Sequence, residues 1–368
     1  MFPVLLACFH EKQRPQGVNP TSASAESQGM RIVWSPTQLN HAGAGFVQRG
    51  RFRASPEVPE RAEFILDAVQ AHGHEIQAPH DRGLDPILAV HDASYVTFLR
   101  EAFGRWTSFA GSDAPLFPNV HPRGGSASKP DGIVGLAGWH TGDMACEITA
   151  GTWAAAYEAA QCAASAASLM IEDGRTTYAL CRPPGHHAGP ERAMGFCYLN
   201  NAAVCAELLR RQFTERVAIL DVDAHHGNGT QDIFYGREDV FFASIHGHPS
   251  NYYPFYWGYP EQTGAGAGQG ATLNVPYPVG SDDGPFLDAL SAALDGIARF
   301  APGALVLSLG TDASVHDPHG QHAVTNEGFG RMAERIAALR YPTVIVQEGG
   351  YPSPALGGLV ADVLHAFA

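Results

Sequence analysis

Asp221, Asp223 and His225 stand at alternate positions in VAILDVDAHHGNGT, residues 217–230, directly after four apolar residues. Alternate side chains of an extended segment project from the same side, so this spacing lines up two carboxylates and an imidazole at the end of a strand. Burying such a row is costly without a cation. One imidazole and two carboxylates leave coordination positions open on a divalent ion, which is the arrangement of catalytic and not structural Zn²⁺.

Three further polar clusters follow apolar runs. TYALC at 177 leads into Arg182, two prolines, Gly185, His186 and His187; ALVLSLG at 304 leads into Thr311 and Asp312; TVIVQE at 343 leads into Gly349, Gly350 and Tyr351. Each has an ordinary alternative when taken alone. Adjacent histidines are usually a surface accident, Asp312 could cap a helix, and Tyr351 could be an aromatic packed in a turn. Their shared place at the carboxyl ends of predicted strands, where open α/β sheets bind ligands, outweighs those alternatives. It predicts one pocket lined by His186, His187, Asp221, Asp223, His225, Asp312 and Tyr351. Zinc there would acidify a water to a pKa of roughly 7 and polarise a carbonyl. The histidines and the tyrosine are the residue types that supply a base and an oxyanion donor.

The elements that must position these groups form a rhythm. Apolar runs at 177, 217, 240, 304 and 343 alternate with helical patterns at 200–212, 284–300, 326–340 and 354–367, preceded by helices over 59–73, about 93–103 and 151–171. Continuous apolar strands separated by helices indicate a mostly parallel sheet covered on both faces. The expected fold class is α/β, with residues 30–368 as one domain. Residues 104–150 read as a long irregular insertion, the kind of segment that carries function or an interface. Residues 1–29 read as an unstructured leader, with Met30 before RIVW as a candidate start.

Composition removes some functions. Lys and Arg number 23 against 37 Asp and Glu, a net charge of -14, which argues against binding nucleic acid or anionic lipid. No run approaches the roughly 20 apolar residues of a spanning helix. The six cysteines contain no CxxC pair, and a chain of this length needs no disulfide scaffold, which fits a reducing cytoplasm.

PPGHHAG, MGFCYLNNAAV, ILDVDAHHGNGTQDIFY, SLGTDA with a following DP, and EGGY occur in that order. Together they resemble the histone deacetylase superfamily, and from about Met30 onward the chain resembles its bacterial acetylpolyamine amidohydrolase-like branch. The resemblance implies an arginase/deacetylase-like three-layer fold and a zinc-dependent deacetylase that releases acetate and a free amine. It implies Asp223, His225 and Asp312 as zinc ligands, His187 as base and then acid, His186 as its electrostatic partner oriented by Asp221, and Tyr351 as oxyanion donor. Phe196 and Tyr253, with Gly195 and Gly349, would line a narrow substrate channel. A structural K⁺ would sit near Asp221, with the Ser244 hydroxyl and the carbonyls of Asp223, His225 and Ile245 as ligands. In this branch the insertion builds a homodimer and narrows the channel.

Three rivals accompany that reading. A two-manganese ureohydrolase would need an Asp two positions beyond the histidine, where the segment continues His226-Gly227-Asn228, and a second Asp-x-Asp pair, where Thr311-Asp312-Ala313 carries a single Asp. A non-catalytic metal-bound ligand sensor would be expected to have lost the tyrosine or a histidine. A deacetylase of acetyl-lysine in peptides or proteins shares the whole set. For the substrate, Val134 and Ala145 occupy positions where the branch has acidic residues, and the early loop carries Arg49, Arg51 and Arg53, although Glu57, Glu60, Asp143 and Glu147 lie near in sequence. A small acetylated amine is the expected partner.

Overall fold

The structure is a computed structural model and describes residues 29–122 and 125–368. Most of the expected leader therefore lies outside the described residues. In chain order the strands are β1 (Arg31–Val33), β2 (Phe46–Gln48), β3 (Arg51–Arg53), β4 (Glu75–Gln77), β5 (Thr177–Ala179), β6 (Val217–Asp221), β7 (Val240–Gly247), β8 (Thr272–Tyr277), β9 (Ala304–Leu309) and β10 (Thr343–Gln347). The helices are α1 (Glu60–Ala71), α2 (Asp85–Leu88), α3 (Ala93–Ala110), α4 (Ile133–His140), α5 (Thr152–Asp173), α6 (Asn201–Gln212), α7 (Asn228–Phe234), α8 (Asp283–Phe300), α9 (Asn326–Ala337) and α10 (Leu356–His365).

Eight strands form one sheet in the order β4-β1-β5-β10-β9-β6-β7-β8, with parallel pairing throughout. Every residue of β6, β9 and β10 is buried, as the unbroken apolar runs require of strands covered on both sides. Alternation divides the core. Val217, Ile219, Val306 and Val344 pack with α3, α5 and α6, whereas Ala218, Leu220, Leu307 and Ile345 pack with α1, α8, α9 and α10. The result is three layers. The alanines of α5 let this 22-residue helix lie close against the sheet and α6, and Gly174 ends it in the left-handed conformation at φ 74°.

The structure corrects the reading of residues 104–150. α3 continues through Gly104 to Ala110, and α4 forms where no element was expected. Glycine inside a helix costs about 1 kcal/mol, but here Leu99 and Ala102 are buried on one side of it and the Trp106 indole donates to the Ala114 carbonyl on the other. Leu116, Ile133, Leu136, Cys146 and Ile148 all enter the core, so most of the insertion is packed structure. The short pieces β2, β3, β4 and β8 were also unread, since three residues cannot display a period and Pro276 interrupts β8.

Candidate active site

β5, β10, β9 and β6 are consecutive in the sheet, so their carboxyl ends open on one place. Each delivers one of the four polar clusters. The turn after β5 carries His186 and His187, β6 runs into Asp221, Asp223 and His225, β9 runs into Asp312, and β10 runs into Gly349 and Tyr351.

Asp223, His225 and Asp312 converge, with ligand atoms all within 4.8 Å of one another. His225 Nδ1 lies 2.8 Å from Asp312 Oδ2 and 3.3 Å from Asp223 Oδ1. The far oxygens are tied back to the main chain: Gly349 N–H donates to Asp223 Oδ2 at 2.8 Å, and Ala224 N–H donates to Asp312 Oδ1 at 2.9 Å. Both carboxylates are about 1% exposed. Burial disfavours charge on His225, yet Asp312 and Asp223 hold its pKa up to about 10. Burial likewise raises the Asp312 carboxyl. Two buried carboxylates around one imidazole nitrogen form a site that calls for positive charge, and the N/O donor set fits Zn²⁺. Among the described residues His186, Cys197 and Glu348 also cluster, but Glu348 Oε2 already accepts from Gly185 N–H at 2.7 Å and His186 N–H at 3.0 Å.

The two histidines differ in surroundings. His186 Nδ1 pairs with Asp221 Oδ2 at 2.9 Å, and Asp221 with Asp223 overcomes the cost of burial to raise its pKa to about 10. His187 Nδ1 faces Asn228 Oδ1 at 2.7 Å. An amide oxygen only accepts, so His187 carries its proton on Nδ1 and leaves Nε2 as the basic atom. Burial, then His186 and His225, push its pKa well below the ordinary histidine value. Two adjacent imidazoles are thereby set to opposite protonation states, one cationic and one neutral.

A pocket of about 320 Å³ reaches these groups, with His187, His225 and Tyr351 among its lining. Its walls include Phe196, Tyr253 and Gly195. Gly195 sits at φ 56°, and a Cβ there would come within 2.4 Å of His187 Cδ2 and 2.8 Å of the Tyr253 hydroxyl. A Cβ on Gly349 would lie 2.4 Å from Asp223 Oδ2. Both glycines are close-approach positions. Ser244 pairs with Asp221 across β6 and β7, and its hydroxyl lies 2.9 Å from His246 Nδ1, with Ile245 buried beside it.

Sequence reasoning missed four supports. Asn228 was read only as an absent acid, although it orients His187. Glu348, in the EGGY motif, pins the backbone of His186. Arg61 donates from its guanidinium to the carbonyls of Glu348 and Gly350, bracketing the segment that leads into Tyr351, and Asp317 accepts from Tyr351 N–H at 2.7 Å. The DP of the fourth motif was the available signal for Asp317. Of the acids near the early loop, Glu57 is buried between Arg61 and Arg182, and Glu147 is buried against Gly45 N–H. Neither stands at the pocket mouth, so both are removed from the set that could meet a cationic tail.

Comparison with known proteins agrees with this geometry. The pattern of the histone deacetylase domain matches residues 55–367. An acetylpolyamine amidohydrolase of Burkholderia pseudomallei is 46% identical over 325 residues, covering 88% of this chain and 94% of that one. Acetylpolyamine amidohydrolase 1 of Pseudomonas aeruginosa is 43% identical over 348 residues, covering 92% and 99%. A crystal structure of the acetylpolyamine aminohydrolase from Burkholderia pseudomallei superposes with a TM-score of 0.89 at 44% identity, covering 92% of this chain and 98% of that one.

Proposed function

Because the chain belongs to the histone deacetylase family and is an amidohydrolase, we propose that it hydrolyses the N-acetyl amide of a small acetylated amine or polyamine, with one zinc ion held by Asp223, His225 and Asp312. The observation that carries this reading is the convergence of those three groups beside a neutral His187 and Tyr351 in one pocket. The acetylpolyamine named for its relatives supplies the substrate class.

When bound, zinc supplies Lewis acidity that polarises the acetamide carbonyl and lowers the pKa of water. The protein performs the proton transfers. His187 Nε2 removes the proton from the attacking water and returns it to the leaving amine. Tyr351 donates its hydroxyl to the oxyanion. His186, kept cationic by Asp221, stabilises negative charge at the reacting centre. Phe196 and Tyr253 guide an alkyl chain and exclude water. Acetate and a free amine leave.

The rest of the reading follows the same family. A structural K⁺ at Asp221, Ser244 and the carbonyls of Asp223, His225 and Ile245, a homodimer built through residues 104–150, and one catalytic domain over residues 30–368 complete it. Among the described residues no helix is long and apolar enough to cross a membrane, and the five described cysteines are buried free thiols. The thiols support a cytoplasmic location.

The test is metal analysis with turnover. One zinc per chain, with hydrolysis of acetylputrescine, acetylcadaverine or acetylspermidine, is expected. Two manganese ions with no acetamide turnover would overturn the reading. Asn228 spends its oxygen on His187, and Asp312 has no second Asp two positions away, where Gly310 and Ser314 stand, so ligands for a second metal are lacking at the ureohydrolase positions.

A further inference from the structure

The pocket mouth carries a charge that the proposed reaction does not use. Arg49 lines the pocket, is exposed, and makes no ion pair among the described residues. It stands with Gly50 at the tip of the β2–β3 hairpin, at φ 51° and 73°, the two left-handed positions of a two-residue turn. Asparagine or glycine is usual at the first of these, so arginine is held there against its backbone preference. Of the five non-glycine residues with positive φ among the described residues, three line this one pocket: Arg49, Phe196 and Phe255. Backbone strain of this kind persists where the surroundings enforce it, and it concentrates at functional sites.

The two-residue turn imposes this conformation, and the hairpin that carries it is held at its base. Phe46, at the base of the hairpin, packs edge-on against Phe196 with ring centroids 5.3 Å apart. Val47 N–H donates to the Met144 carbonyl at 3.3 Å, and Gly45 N–H donates to Glu147 Oε1 at 2.9 Å. The hairpin is thus seated on the channel wall, and its tip holds a guanidinium at the rim.

No carboxylate answers it. Among the described residues the one carboxylate lining the pocket is Asp143. Its Oδ2 accepts from the Tyr253 hydroxyl at 2.6 Å and Gly195 N–H at 3.1 Å, and its Oδ1 accepts from Ala145 N–H at 2.9 Å. Gly195 abuts His187, so Asp143 belongs to the inner channel. His319, which also lines the pocket, has its pKa lowered by burial and then by Arg53.

We infer that Arg49 is a specificity-determining residue that reads the charge on the far end of the substrate. Among the acetylated amines the site turns over, it raises kcat/KM for those whose tail is neutral or carboxylate-bearing where it passes the rim and lowers it for those that place an ammonium there. The inference rests on the deacetylase reading and narrows its substrate class.

The experiment measures kcat/KM of the zinc-loaded full chain for three acetamides of equal length ending in a carboxylate, a methyl group or an ammonium. Wild type, Arg49→Glu and Arg49→Gly are compared, and glycine removes the charge while suiting the left-handed turn. The carboxylate-to-ammonium ratio is expected to fall about tenfold or more in Arg49→Glu and by less in Arg49→Gly, with the difference shrinking at high salt. If either variant is inactive, calorimetric binding of the charged pair gives the same ratio. A ratio that stays at the wild-type value in both variants overturns the inference. Wild-type enzyme that turns over none of the three overturns the deacetylase reading, and the inference with it.

Discussion

His187 Nδ1 is held 2.7 Å from Asn228 Oδ1, whereas the neighbouring His186 Nδ1 is held 2.9 Å from the Asp221 carboxylate. An amide in the first place and a carboxylate in the second separate the two imidazoles in basicity. His187, pushed well below its ordinary value, is the free base throughout the neutral range. In its proposed role as base the deprotonated form is the active one, so the acidic limb of kcat/KM is expected to lie below pH 6.5. Asn228→Asp adds a negative charge at Nδ1, raises the His187 pKa and moves that limb to higher pH. A pH profile that is the same in both proteins would show that Asn228 does not set the base.

Removing the donor or the base is expected to cost rate and not fold. Tyr351→Phe and His187→Ala should each lower kcat by about 10²- to 10⁴-fold. Both side chains line the pocket, so Tm should move by only a few degrees. Near wild-type turnover in either purified, metal-replete variant would defeat the assigned roles.

Gly195 gives a steric test. A methyl group at this position would press on His187 Cδ2 and on the Tyr253 hydroxyl, and its φ of 56° strains any L side chain. Gly195→Ala is expected to reduce kcat/KM by roughly 100-fold, because misplacing a catalytic group by about 1 Å costs that much. Zinc content should stay at wild-type level, since the three residues proposed to hold it are untouched. Zinc loss in parallel with activity would point to a general collapse of the site instead.

Acid stability supplies a prediction away from the centre. His91 is buried with Nδ1 2.9 Å from the Gly189 carbonyl and Nε2 accepting from Asn200 N–H at 2.8 Å, an arrangement open only to the neutral ring. Burial lowers its pKa to about 4, and burial with Arg182 lowers that of His41 to about 4 against the pull of Glu57. The unfolded rings protonate first. Their contribution is therefore full above pH 6.5 and is lost as pH falls towards 4, about 3 kcal/mol for each. Glu348, raised to about 7 by burial, slopes the other way. The comparison of His91→Gln with wild type isolates the histidine: the variant should lose less Tm between pH 7 and pH 4.5. Parallel Tm curves would contradict the assignment.

Much of this site was legible before any fold. The run VAILDVDAHH announces a site through its residue types, but β6 ends at Asp221, and the bend beyond it, not strand alternation, places Asp223 and His225. The apolar runs likewise announce a sheet buried on both faces, since only such strands dispense with polar alternation. Residues 104–150 were less legible: Gly104 reads as a stop, and the burial of Leu99 and Ala102 in the core, with the local bond from the Trp106 indole to the Ala114 carbonyl, carries the helix through it.

The sequence by itself determined which chemistry-bearing residue types follow the carboxyl ends of the strands, and through the resemblance of its motifs the class of reaction. What only the tertiary structure decided is which groups meet across strands. Strand order places Asp312 against His225 and Asn228 against His187, at sequence separations of 87 and 41 residues. It sinks Glu57 and Glu147 away from the mouth and lifts Arg49 to the rim. Local periodicity constrains neighbours along the chain, whereas charge pairing and burial depend on which strands lie side by side.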